Sequence, residues 1–292
     1  MIQNNLSFVR NLIAEQFPEW ADLPIQPLTS IGTDNAIYRL GEELAIRLPS
    51  DKGGSLQINK EYQWLPIIER HLPISVPTPI VLGMPVEDYP WNWTVYKWID
   101  GEDATTASID DPYQLAVDLG QFINALQRMD ASDGPAPGNH NFWRGVPLAM
   151  RDRDVRNAVK DLQNDFDTAH ITRAWEDALS VPIWRESPVW IHGDLLAGNY
   201  LVRDGKLCAV IDFGGLGVGD PACDWLFAWD LLSAKDREKL RGSLEVDAST
   251  WERARGWALS LGVIALPYHK TRNPMFANLA RRLIKEVLED YK

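Results

Sequence analysis

The sequence is poor in cysteine, with two in 292 residues, Cys208 and Cys223. That excludes a disulfide-built scaffold and fits a reducing compartment. No apolar run approaches the ~20 residues that cross a bilayer. The first ten residues, MIQNNLSFVR, have neither the basic start nor the apolar stretch of a secretion signal. A cytoplasmic protein with no membrane partner is expected. Basic residues are also scarce: 29 Lys and Arg face 41 Asp and Glu, a formal net charge of −12. With no basic patch in view, nucleic acid is not an expected partner. An acidic protein attracts cationic small molecules, although solubility alone accounts for such a balance. Internal repeats and low-complexity segments are missing as well.

What is there is ordinary globular composition, 45% hydrophobic and 24% charged, with thirteen tryptophans. A chain of this length buries a sizeable core and has room for two lobes. Apolar spacing predicts a helix over 6–17, with Ser7 as a candidate N-cap. AIYRL (36–40) and LAIRL (44–48) alternate like strands around the turn GEE, and Pro49 ends the second. A helix is expected over 56–72, extended chain over 74–85 and a strand over 91–99. The texture then changes. Residues 111–129 form a good amphipathic helix, 130–147 a loop rich in Gly, Pro, Asn and Asp, and 151–166 and 171–180 helices. Two short strands follow, with Asp204 and Gly205 as their turn. From residue 220 the pattern is mostly helical.

The chemistry gathers around those two strands. VWIHGDLLAGNYLV (189–202) interrupts an apolar run with His192, Gly193, Asp194 and Asn199. CAVIDFG (208–214) ends the second strand in Asp212. A hairpin with Asp194 and Asn199 before one strand and Asp212 after the next returns all three to one end. Two carboxylates and an amide oxygen suit Mg²⁺, which takes few protein ligands and completes its shell with water and substrate phosphates. Phosphoryl transfer needs such a metal and a carboxylate to accept the proton of an attacking hydroxyl. Asp194 is therefore the candidate base, and Asn199 and Asp212 the candidate metal ligands. His192 reads as a structural hydrogen-bonding group.

HGDLLAGN followed by IDFGGLGVGDPACD resembles the aminoglycoside phosphotransferase family, relatives of the protein kinases. GTDNAIYRLGEELAIRLP, WTVYKWIDGE and RGWAL extend the likeness over nearly the whole chain. The resemblance implies an α+β, bilobal, kinase-like fold: an N-terminal nucleotide-binding lobe of residues 1–98, built on a small antiparallel sheet plus a helix, and a mainly helical C-terminal lobe of residues 99–292. It also implies ATP or GTP as donor, Mg²⁺ as cofactor, and a small molecule as acceptor. By position, Arg47 stands where the family's phosphate-holding lysine is usual, with Glu61 as its helix partner and Lys60 beside it. The loop containing Ser30, Gly32 and Thr33 would cover the phosphates, despite having one glycine where kinases have three. Lys97, Trp98 and Ile99 would meet the nucleotide base.

Acceptor carboxylates are sought among Asp220, Asp224 and Asp230, of which Asp220 and Asp224 are more often loop anchors or helix caps. Trp225, Trp229, Trp257 and Tyr268 are candidate pocket walls, with core packing the plainer role. An aminoglycoside-type antibiotic, cationic and hydroxyl-rich, is the expected acceptor. A macrolide, an amino alcohol and a sugar are the alternatives. A nucleotide-binding module without turnover, and a nuclease on the same carboxylates, are the competing classes.

Overall fold

The computed structural model describes residues 6–28, 35–244 and 246–291. Helix α1 (Leu6–Gln16) starts one residue before Ser7, which therefore sits inside the first turn and does not cap it. Three strands follow, β1 (Ile25–Leu28), β2 (Asn35–Leu40) and β3 (Leu44–Pro49). Helix α2 (Lys52–Ile68) starts earlier than the apolar pattern alone suggests. Its N-cap is Asp51, whose side chain accepts from the Gly54 N–H at 2.9 Å. Strands β4 (Pro79–Gly83) and β5 (Trp93–Lys97) complete an antiparallel sheet in the order β1-β2-β3-β5-β4. Ala36, Tyr38 and Leu40 alternate inward along β2, the period-2 burial that its sequence announces.

The rest of the chain is mainly helical. A two-residue strand β6 (Glu102–Asp103) precedes α3 (Pro112–Gln127), which Asp111 caps. Helices α4 (Asp152–Val159) and α5 (Thr168–Ser180) follow the long loop. Strand β7 (Val189–Ile191) leads to the hairpin of β8 (Tyr200–Arg203) and β9 (Lys206–Val210). The turn residues Asp204 and Gly205 have φ of 51° and 74°, the left-handed pair that a two-residue hairpin requires. Strand β10 (Gly217–Gly219) pairs back on β7. Helices α6 (Phe227–Leu231), α7 (Ala234–Ser243), α8 (Ala248–His269) and α9 (Pro274–Glu289) end the fold. Among the described residues, no helix is long and apolar enough to cross a membrane.

The described residues form two apolar cores. One lies between α1 and the five-stranded sheet, around Ile13, Tyr38, Ile46, Trp93 and Val95. The larger one fills the helical part. Leu65 and Ile68 of α2 and Tyr96 of β5 belong to this second core, so α2 and the end of β5 tie the sheet to the helices. Trp225, Trp229 and Trp257 are fully buried, the plainer of their two expected roles, whereas Tyr268 is exposed. Cys208 and Cys223 are free thiols.

Candidate active site

Strand β7 delivers the chain into a tight loop over 192–199, and a buried acid shapes it. Asp224 accepts the N–H groups of His192 and Gly193, each at 2.7 Å. Its full burial pushes its carboxyl upward, against the pull of those bonds and of His192. The Asp194 N–H donates to His192 Nδ1 at 3.2 Å, so the ring's proton sits on Nε2, which donates to the Ile211 carbonyl at 3.0 Å. His192 is thus a fully buried strut between the two halves of the site, as its sequence context suggests. Gly193 has φ of 83°, and a Cβ there would stand 2.4 Å from the Gly215 carbonyl oxygen. Only glycine lets the loops touch at that point.

Asp194 and Asn199 meet directly. Asn199 Nδ2 donates to the Asp194 carbonyl at 2.7 Å and to Asp194 Oδ2 at 2.9 Å. With its nitrogen engaged, Asn199 has its amide oxygen left for a metal. The Asn199 carbonyl in turn accepts the Ile211 N–H at 2.8 Å, which brings Asp212 one residue from the Asn199 backbone. Asp212 adopts φ 59° and ψ 73°, a left-handed conformation that costs roughly 1 kcal/mol for a non-glycine residue. Its carboxylate is about half exposed, accepting from the Gly214 N–H at 3.3 Å and from Arg47 Nη2 at 3.4 Å. An amide oxygen and a carboxylate are the hard donors that Mg²⁺ selects, and the residues fit that ion. Among the described residues, no group of three or more His, Cys, Asp or Glu could hold a metal, so an ion here would rest on Asn199 and Asp212, completed by non-protein oxygens.

Across from this loop stands Arg47, on β3. Its Nη1 donates to both carboxylate oxygens of Glu61 at 2.8 Å, and Glu61 also accepts the Tyr96 hydroxyl. Burial opposes the Arg47 charge, but the carboxylates of Glu61 and Asp212 outweigh it and raise its pKa. The expected Arg47–Glu61 pairing is present, with one further reach to Asp212. Lys60, beside Glu61, points elsewhere. Its ammonium donates to the carbonyls of Gly214 and Leu216 at 2.8 Å each and to that of His140 at 3.3 Å. Burial brings its pKa down to about 8. It pins α2 to the loop that carries Asp212, a role the sequence did not disclose.

Ser30, Gly32 and Thr33 lie outside the described residues. The N–H groups of Lys97 and Trp98 donate to the carbonyls of Thr78 and Glu43, at 2.9 and 2.7 Å. Of the three residues expected at the nucleotide base, Ile99 is therefore the one whose N–H is not engaged by a neighbouring carbonyl among the described residues. The Trp98 ring lies 4.7 Å from the Arg39 guanidinium, and its Nε1 donates to Asp100 at 2.7 Å.

The acids sought for an acceptor have other partners. Asp220 caps the turn Pro221–Leu226 and forms a buried ion pair with Arg253 at 2.7 Å. Asp224 holds the loop, as described. Asp230 is buried and accepts the Ala197 N–H at 3.2 Å; burial pushes its carboxyl up to about 6. The residue that does reach Asp194 is Arg144, whose Nη2 lies 3.3 Å from Asp194 Oδ1. No local motif marks it, since it comes from the loop at 130–147.

Residues 25–257 match the APH family model, the phosphotransferase enzyme family. The chain belongs to this family. Solved structures carry the same fold at low identity. An aminoglycoside 2'-phosphotransferase-IIIa, solved with GDP, superposes with a TM-score of 0.74 at 21% identity, covering 99% of this chain and 100% of its own. The ADP-bound aminoglycoside phosphotransferase APH(2'')-Ib gives 0.61 at 19%, covering 98% of each chain. The macrolide 2'-phosphotransferase MphH from Brachybacterium faecium gives 0.64 at 20%, covering 96% and 97%. No curated protein matches the chain. As a member of this phosphotransferase family, the protein is an enzyme and has the kinase-like α+β architecture that its motifs suggest.

Proposed function

We propose that the protein moves the γ-phosphoryl group of ATP or GTP to a hydroxyl of a small molecule, in a site between lobes of residues 1–98 and 99–292. The observation that carries this reading is the joined unit of Asp194 and Asn199, with Asp212 tied to it through the Ile211–Asn199 bond. Asp194 accepts the proton of the acceptor hydroxyl as its oxygen bonds to phosphorus; the bond from phosphorus to the bridging oxygen breaks, and a nucleoside diphosphate leaves. Arg47 grips the donor phosphates, held in place by Glu61. Asn199 and Asp212 would hold Mg²⁺, which when bound would supply positive charge against the donor phosphates. Loop 30–33 and the segment 97–99 are the proposed contacts to the phosphates and the base.

The neighbours support an aminoglycoside or a macrolide as acceptor, and a net charge of −12 favours a cationic one. The residues beside Asp194 favour another class, argued below. The deciding test is nucleotide-dependent transfer, with and without Mg²⁺, to aminoglycosides, macrolides, amino alcohols and sugars. Wild-type turnover that falls by about 100-fold or more in Asp194→Asn supports the reading. Equal nucleotide binding by both proteins, with no transfer by either, would mark a binding module instead.

A further inference from the structure

The loop that supplies Arg144 has an unusual build. Phe142 and Trp143 are consecutive non-glycine residues with φ of 54° and 57°, a conformation that side chains adopt only where the surroundings impose it. Buried Asn141 holds the turn from inside: its Oδ1 accepts the Gly138 N–H at 2.9 Å and its Nδ2 donates to the Arg144 carbonyl at 3.2 Å. Trp143 Nε1 donates to Asn139 Oδ1 at 2.9 Å. The product of this bracing is that both rings are exposed, Phe142 by 57% and Trp143 by 44%. Packing alone would bury them.

Arg144 runs inward instead. Its side chain is 10% exposed and reaches the base at 3.3 Å. Its Nε is buried with no hydrogen-bond partner among the described residues. Its guanidinium lies 5.8 Å from the centre of the Trp257 ring, and the Arg151 guanidinium lies 4.7 Å from the same ring. Arg151 Nε donates to Ser260 at 2.8 Å. Burial and the charge of Arg144 bring the pKa of Arg151 down to about 9. Two guanidiniums thus lie near the Trp257 ring, and that of Arg144 stands against Asp194, while Asp220, Asp224 and Asp230 are engaged in the fold. An ammonium next to the reacting hydroxyl would meet like charge there. A neutral or anionic oxygen would meet the Arg144 guanidinium, which stands 3.3 Å from Asp194 Oδ1.

We propose that Phe142, Trp143 and Arg144 form the acceptor-reading element of the site, and that the acceptor is a ring-bearing alcohol, neutral or carboxylate-bearing, with no ammonium beside the hydroxyl it presents. The exposed rings take its apolar face, and Arg144 takes an oxygen close to the reacting one. The inference rests on the phosphotransfer reading and narrows it.

The test uses the full chain with Mg²⁺ and ATP or GTP, and acceptors in matched triples: a hexose, its 2-amino derivative and its uronic acid, as free sugars and phenyl glycosides, with an aminoglycoside and a macrolide alongside. Wild type is expected to favour the neutral or carboxylate member over the amine by about tenfold or more in kcat/KM. Arg144→Gln should collapse that ratio and Arg144→Lys should preserve it. Trp143→Ala should raise KM for the phenyl glycosides about fivefold, with the nucleotide KM unchanged. Preference for the amine-bearing members by wild type overturns the inference. So does a folded Arg144→Gln that keeps the wild-type ranking. If Arg144→Gln does not fold, the wild-type ranking and the Trp143→Ala KM decide. A wild-type enzyme that phosphorylates no hydroxyl in the panel overturns the phosphotransfer reading, and this inference falls with it.

Discussion

Asn199 binds Asp194 twice from one nitrogen, at the carbonyl and at the carboxylate. The proposed metal ligand and the proposed base are therefore one unit, and neither can move alone. Asn199→Ala should lower kcat by about 100-fold or more, beyond what a lost metal oxygen alone would do. Stability should fall by only about 1–3 kcal/mol, the scale of a lost hydrogen bond. Steady-state kinetics and a thermal melt on the same preparation check both halves.

Asp212 separates activity from stability. Its left-handed backbone is strained for aspartate and natural for glycine. Asp212→Gly should melt no lower than wild type, and transfer should be abolished. Retained turnover in that variant, or in Asp212→Ala, counts against the metal role.

Arg47 couples a buried carboxylate to an exposed one, through different nitrogens of one guanidinium. Lysine cannot make both contacts with the same geometry. Arg47→Lys should raise the nucleotide KM by roughly tenfold. Glu61→Ala should be worse for the fold, because Arg47 is 11% exposed and would lose its main partner; about 3–5 kcal/mol is the usual cost of opening a buried pair. Denaturant titration reads the second effect.

Asp230 gives a pH signature. Burial raises its folded-state pKa to about 6, above the ordinary 3.8. Between those values the folded protein holds the proton and the unfolded chain does not. Stability from this group therefore declines as pH rises through that window, by up to roughly 1.4 kcal/mol per unit, and the loss is complete above pH 6. Asp230→Asn removes the slope and can still accept the Ala197 N–H. Its melting temperature relative to wild type should climb from pH 4 to pH 7; a constant difference would show that Asp230 does not titrate in this range.

Much of this site could be read locally. Period-2 alternation marked β2 and β3, and Asp204 and Gly205 marked the β8–β9 turn, while the family resemblance implied the Arg47–Glu61 pair that does form. What stayed hidden is whatever depends on distant packing. Arg144 is 50 residues from Asp194 in the chain, and a lone arginine in a loop carries no sign of where its side chain goes. Asp224 reads equally as a helix cap or a loop anchor, and only the fold decides: its carboxylate anchors the backbone of His192 and Gly193. Lys60 is noted in the sequence only as the neighbour of Glu61, but the helix turns it inward to meet the carbonyls of Gly214 and Leu216.

In the proposed mechanism Asn199 and Asp212 share a divalent cation with a nucleotide close to Asp194. Electron paramagnetic resonance of Mn²⁺ added with ATP or GTP tests that without relying on turnover. A tightly bound ternary Mn²⁺ signal is expected in wild type and in Asp194→Asn, with loss of that signal in Asn199→Ala and Asp212→Ala. A bound signal unchanged in those last two variants would contradict the mechanism.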